Sequence, residues 1–160
     1  TDSTLCMHIN ADAWAKVSDL NIGGCGKLTD KGLKHIAESC LSLTSLNISH
    51  CSSFSVEGIS EAVQTMSCLT AIDVSGITTK PVRKGAIDTL MQVITTSVGP
   101  RLERLTAEYC PHLSKGMRHI VSTKGLYASD VSNLKTLNLS ASGDLLGRIS
   151  LPIEDLQHSC

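Results

Sequence analysis

Aromatic residues make up only 2% of this 160-residue chain: two tyrosines, one tryptophan and one phenylalanine. A core of stacked rings is excluded, so the interior must come from Leu, Ile, Val, Ala, Met and Cys. An excess of charge of one sign is also missing. Fourteen Lys and Arg face fifteen Asp and Glu, a formal net charge of −1. That removes the electrostatic ground for nucleic acid or an anionic membrane as partner. No apolar run approaches the roughly 20 residues that span a bilayer, and no signal-peptide pattern opens the chain. The seven cysteines contain no C-x-x-C pair, the local spacing on which structural zinc sites are built. Low complexity is absent too: 41% hydrophobic and 18% charged residues do not describe a disordered chain.

What is present is a repeat. Laying the sequence on itself with a shift of 26 residues puts Val17 on Leu43, Leu20 on Leu46 and Ile22 on Ile48. The same shift puts Cys25 on Cys51, Leu28 on Phe54 and Leu33 on Ile59. A third copy starts at Leu69, with Ile72, Val74 and Ile77 in the same columns. A fixed period of this size is the signature of a solenoid. Further starts fall at Leu102 and Leu134, giving a single array over 1–160 of about five repeats that begin near 17, 43, 69, 102 and 134.

Within a unit, Leu20-Asn21-Ile22 alternates apolar and polar, as a short half-buried strand does. Gly23-Gly24 turns the chain, and Cys25 is expected to tuck inside. Thr29 is placed as a helix N-cap with Asp30 at the positive helix end. Leu33, Ile36, Ala37 and Cys40 form one buried helix face. Ile59, Ala62, Val63 and Met66 do the same in the next unit, behind Ser55 as cap. The third unit is longer, with extra residues at Thr78–Arg83 and a helix over Val82–Val98 stopped by Gly99-Pro100. The fourth carries Leu105, Ala107, Cys110, Leu113 and Met117, then a polar loop at Lys124–Asn133. Ser150-Leu151-Pro152 is expected to cap a last helix carrying Ile153 and Leu156. The opening Thr1-Asp2-Ser3-Thr4-Leu5 repeats Thr29-Asp30-Lys31-Gly32-Leu33, so a slice of a longer solenoid is expected.

The pattern L-x-x-L-x-I-x-x-C-x-x-L-T-D-x-x-L-x-x-I-A-x-x-C, spelled out by Val17–Cys40 with Val17 for the first Leu, resembles the cysteine-containing leucine-rich repeat. The resemblance implies an α/β fold: a right-handed solenoid with short parallel strands on a concave face and helices on a convex face. It also implies a non-catalytic protein–protein interaction module in a multi-subunit complex. Such arrays occur in axonemal subunits of the nexin–dynein regulatory complex and in the substrate-receptor half of F-box ubiquitin ligases. The first implies a structural subunit of a cytoskeletal or ciliary assembly, the second a recognition subunit of a ligase. A cytoplasmic or cytoskeletal location follows, with cilium, flagellum and nucleus as its variants. The column Cys25, Cys51 and Cys110 fits reduced, packed thiols.

No catalytic, cofactor or metal residue is assigned. His50-Cys51 has no orienting carboxylate nearby in sequence. Cys110 and His112 flank a proline, a thin basis for a ligand set. Gly23-Gly24-Cys25-Gly26-Lys27 lacks the spacing of a phosphate loop. No small-molecule substrate is expected. A thiol or metal enzyme is the remote alternative, and it predicts a reactive cysteine.

The candidates for partner contact are the polar residues between the apolar strand positions, which face solvent on the concave side. One row is Asp19, Ser45, Ala71, Arg104 and Thr136. A second is Asn21, Asn47, Asp73, Thr106 and Asn138. A third is Gly23, Ser49, Ser75, Glu108 and Ser140, with His50 and Tyr109 at the strand ends. Arg104, Glu108 and Tyr109 are the strongest by residue type. Asn47→Arg is expected to leave folding intact, and Leu46→Asp to collapse the array.

Overall fold

The computed structural model describes residues 1–3, 10–77, 86–110, 133–139 and 150–152. Six three-residue strands form one sheet in the order β1 to β6: β1 Asp19–Asn21, β2 Ser45–Asn47, β3 Ala71–Asp73, β4 Arg104–Thr106, β5 Thr136–Asn138 and β6 Ser150–Pro152. Four α-helices are described: α1 Ala11–Trp14, α2 Asp30–Ser39, α3 Val56–Thr65 and α4 Ala86–Ser97. A 3-10 turn at Gly99–Arg101 follows α4. β1 to β5 are parallel and pair in chain order. Parallel strands joined through a helix take the right-handed crossover almost without exception. The fold is an α/β leucine-rich-repeat solenoid.

The strands are short because each needs only one inward side chain. Leu46, Ile72, Leu105 and Leu137 are that residue in β2 to β5, and all are buried. Leu20, its counterpart in β1, is half-buried, with no strand described on its outer side. Register is locked just before each strand. The Ser18 carbonyl accepts from both Thr44 N–H and Ser45 N–H, and the Thr44 carbonyl accepts from Thr70 N–H and Ala71 N–H. Glu103 N–H and Arg104 N–H share the Thr70 carbonyl in the same way. A one-residue slip would turn every leucine outward.

On the other side of the core, α2 buries Leu33, Ile36 and Ala37, and α3 buries Ile59, Ala62 and Val63. The spacing of three and four residues puts each set on one stripe against the strands. The first turns of these helices are tied between units. Ser55 caps α3, its Oγ accepting from Gly58 N–H at 2.9 Å. The Asp30 carboxylate of the preceding unit accepts from Ser55 N–H at 2.9 Å and from Ser55 Oγ at 2.7 Å. Asp2 holds Thr29 identically, through N–H at 2.9 Å and Oγ1 at 2.6 Å. Burial works against the Asp2 carboxylate, but the hydrogen bonds from Thr29 outweigh it and hold its carboxyl below the ordinary value. Thr29 therefore differs from its expected role: it opens α2, but its hydroxyl donates back to Asp2 and accepts no helix N–H.

The space for these carboxylates is made by glycine. A Cβ on Gly58 would lie 2.2 Å from Asp30 Cγ, and one on Gly32 would lie 2.4 Å from Asp2 Oδ1.

Two local expectations are corrected. Ser150-Leu151-Pro152 does not open as a helix cap; it is β6, antiparallel to β5, with Leu137 opposite Leu151. The residue before a proline is pushed to extended backbone, and proline itself suits an edge strand because it has no N–H to pair. Cys25 does not tuck inside. It is exposed, whereas Cys51 and Cys110 are buried. Each buried thiol rests on the carbonyl of the preceding unit, Cys51 Sγ on Ile22 O at 3.1 Å and Cys110 Sγ on Val74 O at 3.4 Å. Cys25 lies in the first layer, where no earlier strand is described to offer such a carbonyl. The expected insertions, the helix start before residue 86, Leu113, Met117, His112, Ser140 and the helix with Ile153 and Leu156 lie outside the described residues, as does all of the Lys124–Asn133 loop but Asn133.

Candidate functional site

The strand register gathers the outward residues into rows. Asp19, Ser45, Ala71, Arg104 and Thr136 stand side by side, and so do Asn21, Asn47, Asp73, Thr106 and Asn138. Asp19, Asn21, Arg104 and Thr136 are exposed, and Asn47, Asp73, Thr106 and Asn138 are half-buried. Ala71 is buried although it points outward, so the face dips there. In the third row Gly23 is exposed, Ser49 and Glu108 are half-buried and Ser75 is buried.

The second row is not an unattached polar surface. Asn21 Oδ1 accepts from Gly23 N–H, Asn47 Oδ1 from Ser49 N–H and Asp73 Oδ1 from Ser75 N–H, each at 2.9 Å. Each side chain closes the turn at its own strand end, an Asx turn repeated through three units. Asn47 Nδ2 also donates to Asp73 Oδ2 at 3.4 Å. Asn47→Arg therefore carries a folding cost of about 1 kcal/mol, contrary to the neutral outcome its outward position implies. The signal was in the sequence: Asn-x-Gly, Asn-x-Ser and Asp-x-Ser in one column. The fourth unit has Thr106 in this row, and there Glu108 N–H turns to Ser75 Oγ at 3.0 Å. The Glu108 carboxylate, in turn, accepts from Asn138 Nδ2.

One column was missed. Gly24, His50, Gly76 and Tyr109 occupy equivalent places after their strands, and all four have positive φ: 75°, 56°, 62° and 52°. Glycine takes this conformation without strain, whereas a residue with Cβ pays about 1–2 kcal/mol. The two glycines fit the turn, and His50 and Tyr109 are held in it against preference. Neither ring is buried, and Tyr109 is 60% exposed. The His50 ring lies over Gly76, where a Cβ would come within 2.2 Å of Nδ1. Glycines spaced one repeat from a His and a Tyr were the readable sign.

Three of the described thiols, Cys40, Cys51 and Cys110, are packed in the core. Burial pushes Cys40, Cys51 and Cys110 up from the ordinary thiol value, the opposite of what an activated nucleophile needs. Cys25 and Cys68 are exposed. Native-state alkylation followed by peptide mapping should modify these two fast, and Cys40, Cys51 and Cys110 at least about a hundredfold more slowly. Rapid modification of Cys51 would mean that the column is not packed as described. Among the described residues no group of three His, Cys, Asp or Glu is placed to hold a metal ion. Among them, too, no helix is long and apolar enough to cross a membrane.

Comparison with known proteins follows the same units. Residues 15–37 and 39–61 each match the family model described as Leucine Rich repeat. The tropomodulin C-terminal domain of Caenorhabditis elegans is a similar solved structure, at 10% identity and a TM-score of 0.43, covering 76% of this chain and 90% of that chain. No curated protein matches the sequence. Leucine-rich repeats generally mediate protein–protein contact.

Proposed function

We propose that this chain is a non-catalytic interaction module that holds another protein against its strand face. The observation that carries the reading is the pair His50 and Tyr109. Both keep an exposed side chain in a left-handed turn that glycine fills at Gly24 and Gly76. Backbone strain of this kind persists where function requires it, and exposed tyrosine is a frequent binding anchor. Within this reading, the first role is a scaffold or structural subunit of a cytoskeletal or ciliary complex. The second is substrate recognition for an F-box-type ubiquitin ligase, supported by the cysteine-containing form of the repeat at Val17–Cys40.

The test is affinity capture of the full-length protein from its own cells, comparing wild type with Tyr109→Gly. Relief of the left-handed strain roughly offsets the added chain entropy of glycine, so stability should stay within about 1 kcal/mol of wild type. Recovery of the partner should fall at least about tenfold. Equal recovery from both forms would remove Tyr109 from the interface and the reading with it. Axonemal or other cytoskeletal subunits at fixed stoichiometry would establish the structural role. A cullin scaffold with its adaptor would establish the ligase role.

A further inference from the structure

Cys25 and Cys51 fill the same place in two successive layers, one exposed and one buried. The turns that carry them match. Cys25 N–H donates to Ile22 O at 3.1 Å, and Cys51 N–H to Ile48 O at 3.3 Å. Pairing between the layers runs up to the turn, where Gly24 N–H donates to Ser49 O at 2.7 Å. Layers joined this way stand about 4.8 Å apart. That separation lies within the roughly 4.4–6.8 Å between Cα atoms that a disulfide bridges.

The Cys51 sulfur leans toward the layer of Cys25. Its thiol donates to Ile22 O at 3.1 Å, the same oxygen that accepts from Cys25 N–H. Burial pushes the Cys51 thiol up, the Cys25 and Gly24 N–H groups facing its sulfur pull it back, and the Cys25 thiol adds to the rise. Cys110 is seated in the same way, with burial opposed by the N–H groups of Ile77 and Gly76. The place that Ile77 takes beside Cys110 is therefore taken by a second thiol beside Cys51. Among the described residues, Cys25 and Cys51 are the one pair of cysteines adjacent in a column. Cys25 is exposed, so a turn about its Cα–Cβ bond from one staggered rotamer to another can carry its sulfur toward Cys51.

We propose that Cys25 and Cys51 form a peroxide-sensitive dithiol, whose oxidation to a disulfide clamps the first repeat onto the second. The exposed Cys25 thiolate attacks one oxygen of hydrogen peroxide, the O–O bond breaks and Cys25 becomes a sulfenic acid. The Cys51 thiol gives up its proton and attacks the Cys25 sulfur; the S–O bond breaks and the S–S bond forms. Two thiols and one peroxide give one disulfide and two waters. The first layer has most to gain from such a bond, since Leu20 is half-buried there with no outer strand described. His50 precedes Cys51 in the chain, so the clamp also fixes the strand end that carries its strained turn. This device stands whether or not the strand face is the partner surface.

The experiment treats the purified, reduced full chain with two equivalents of hydrogen peroxide. N-ethylmaleimide labelling and peptide mapping without reduction follow. Cys25 labelling should fall at least about tenfold, with a peptide linking Cys25 to Cys51, while the exposed Cys68 stays open to label. Dithiothreitol should restore Cys25. Amide exchange at Leu20 and Ile22 should slow at least about tenfold on oxidation. Cys25→Ser, a change at an exposed site, should fold as wild type and lose that slowing. Cys25 joined to any other cysteine or to a second molecule, carried on to the sulfinic acid, or left as a thiol would each overturn the proposal.

Discussion

Gly58→Ala should destabilise the protein, reversing the ordinary sign of a helical glycine-to-alanine change. Alanine normally gains about 1 kcal/mol in a helix over glycine. Here the new Cβ would lie 2.2 Å from both Cγ and Oδ1 of Asp30 and 2.7 Å from its Cβ. The Asp30 carboxylate would have to withdraw, giving up its bonds from Ser55 N–H and Ser55 Oγ. Two hydrogen bonds to a charged group are worth about 3–4 kcal/mol together, so the net loss is about 2 kcal/mol. For a chain of this size that lowers the melting temperature by roughly 4–8 °C. Repeat arrays can unfold unit by unit, so amide exchange at Ser55 and Ile59 should be followed beside the melt. A double-mutant cycle isolates the cause. In an Asp30→Ala background, Gly58→Ala should become neutral or stabilising, because nothing is left to collide with. A gain in stability from Gly58→Ala alone would show that the Asp30 carboxylate is not where the helix start places it.

Leu46→Asp should cost more, about 3–5 kcal/mol, most of the stability of an ordinary domain. Leu46 is 2% exposed and pairs in register with Leu20 and Ile72. A carboxylate there is buried between layers without a cation. Ser45→Lys, one residue earlier and on the outward face, should change stability by less than about 0.5 kcal/mol. Circular dichroism melts of the two variants would decide the register, since a slip by one residue exchanges their outcomes.

The strand register was readable because the period carries Leu or Ile through every layer. The outward rows at Asp19, Asn21 and their counterparts follow from that register directly. Their chemistry was less readable. Asn21, Asn47 and Asp73 read as solvent-facing side chains, and they are spent on the turns that follow their own strands. Asp30 read as a helix-end charge, but its partner Ser55 lies in the next unit, reached only when the units stack. The left-handed column is written in Gly24 and Gly76, yet its meaning for His50 and Tyr109 appears only with the backbone angles. Cys25 shares a column with Cys51 and Cys110, and burial depends on having a neighbouring carbonyl as well as on the column. Pro152 held the clue to β6, because a residue before proline is driven to extended backbone.

The most direct measurement of the central claim is site-specific photo-crosslinking in the protein's own cells. A photoreactive residue is placed at Ser45 or Thr136 on the strand face, and at Lys34 or Glu61 on the helices α2 and α3. The face reading predicts crosslinks to a partner protein from Ser45 and Thr136, with none from Lys34 or Glu61. Crosslinks from the helix positions alone would contradict it and move the partner to the convex side.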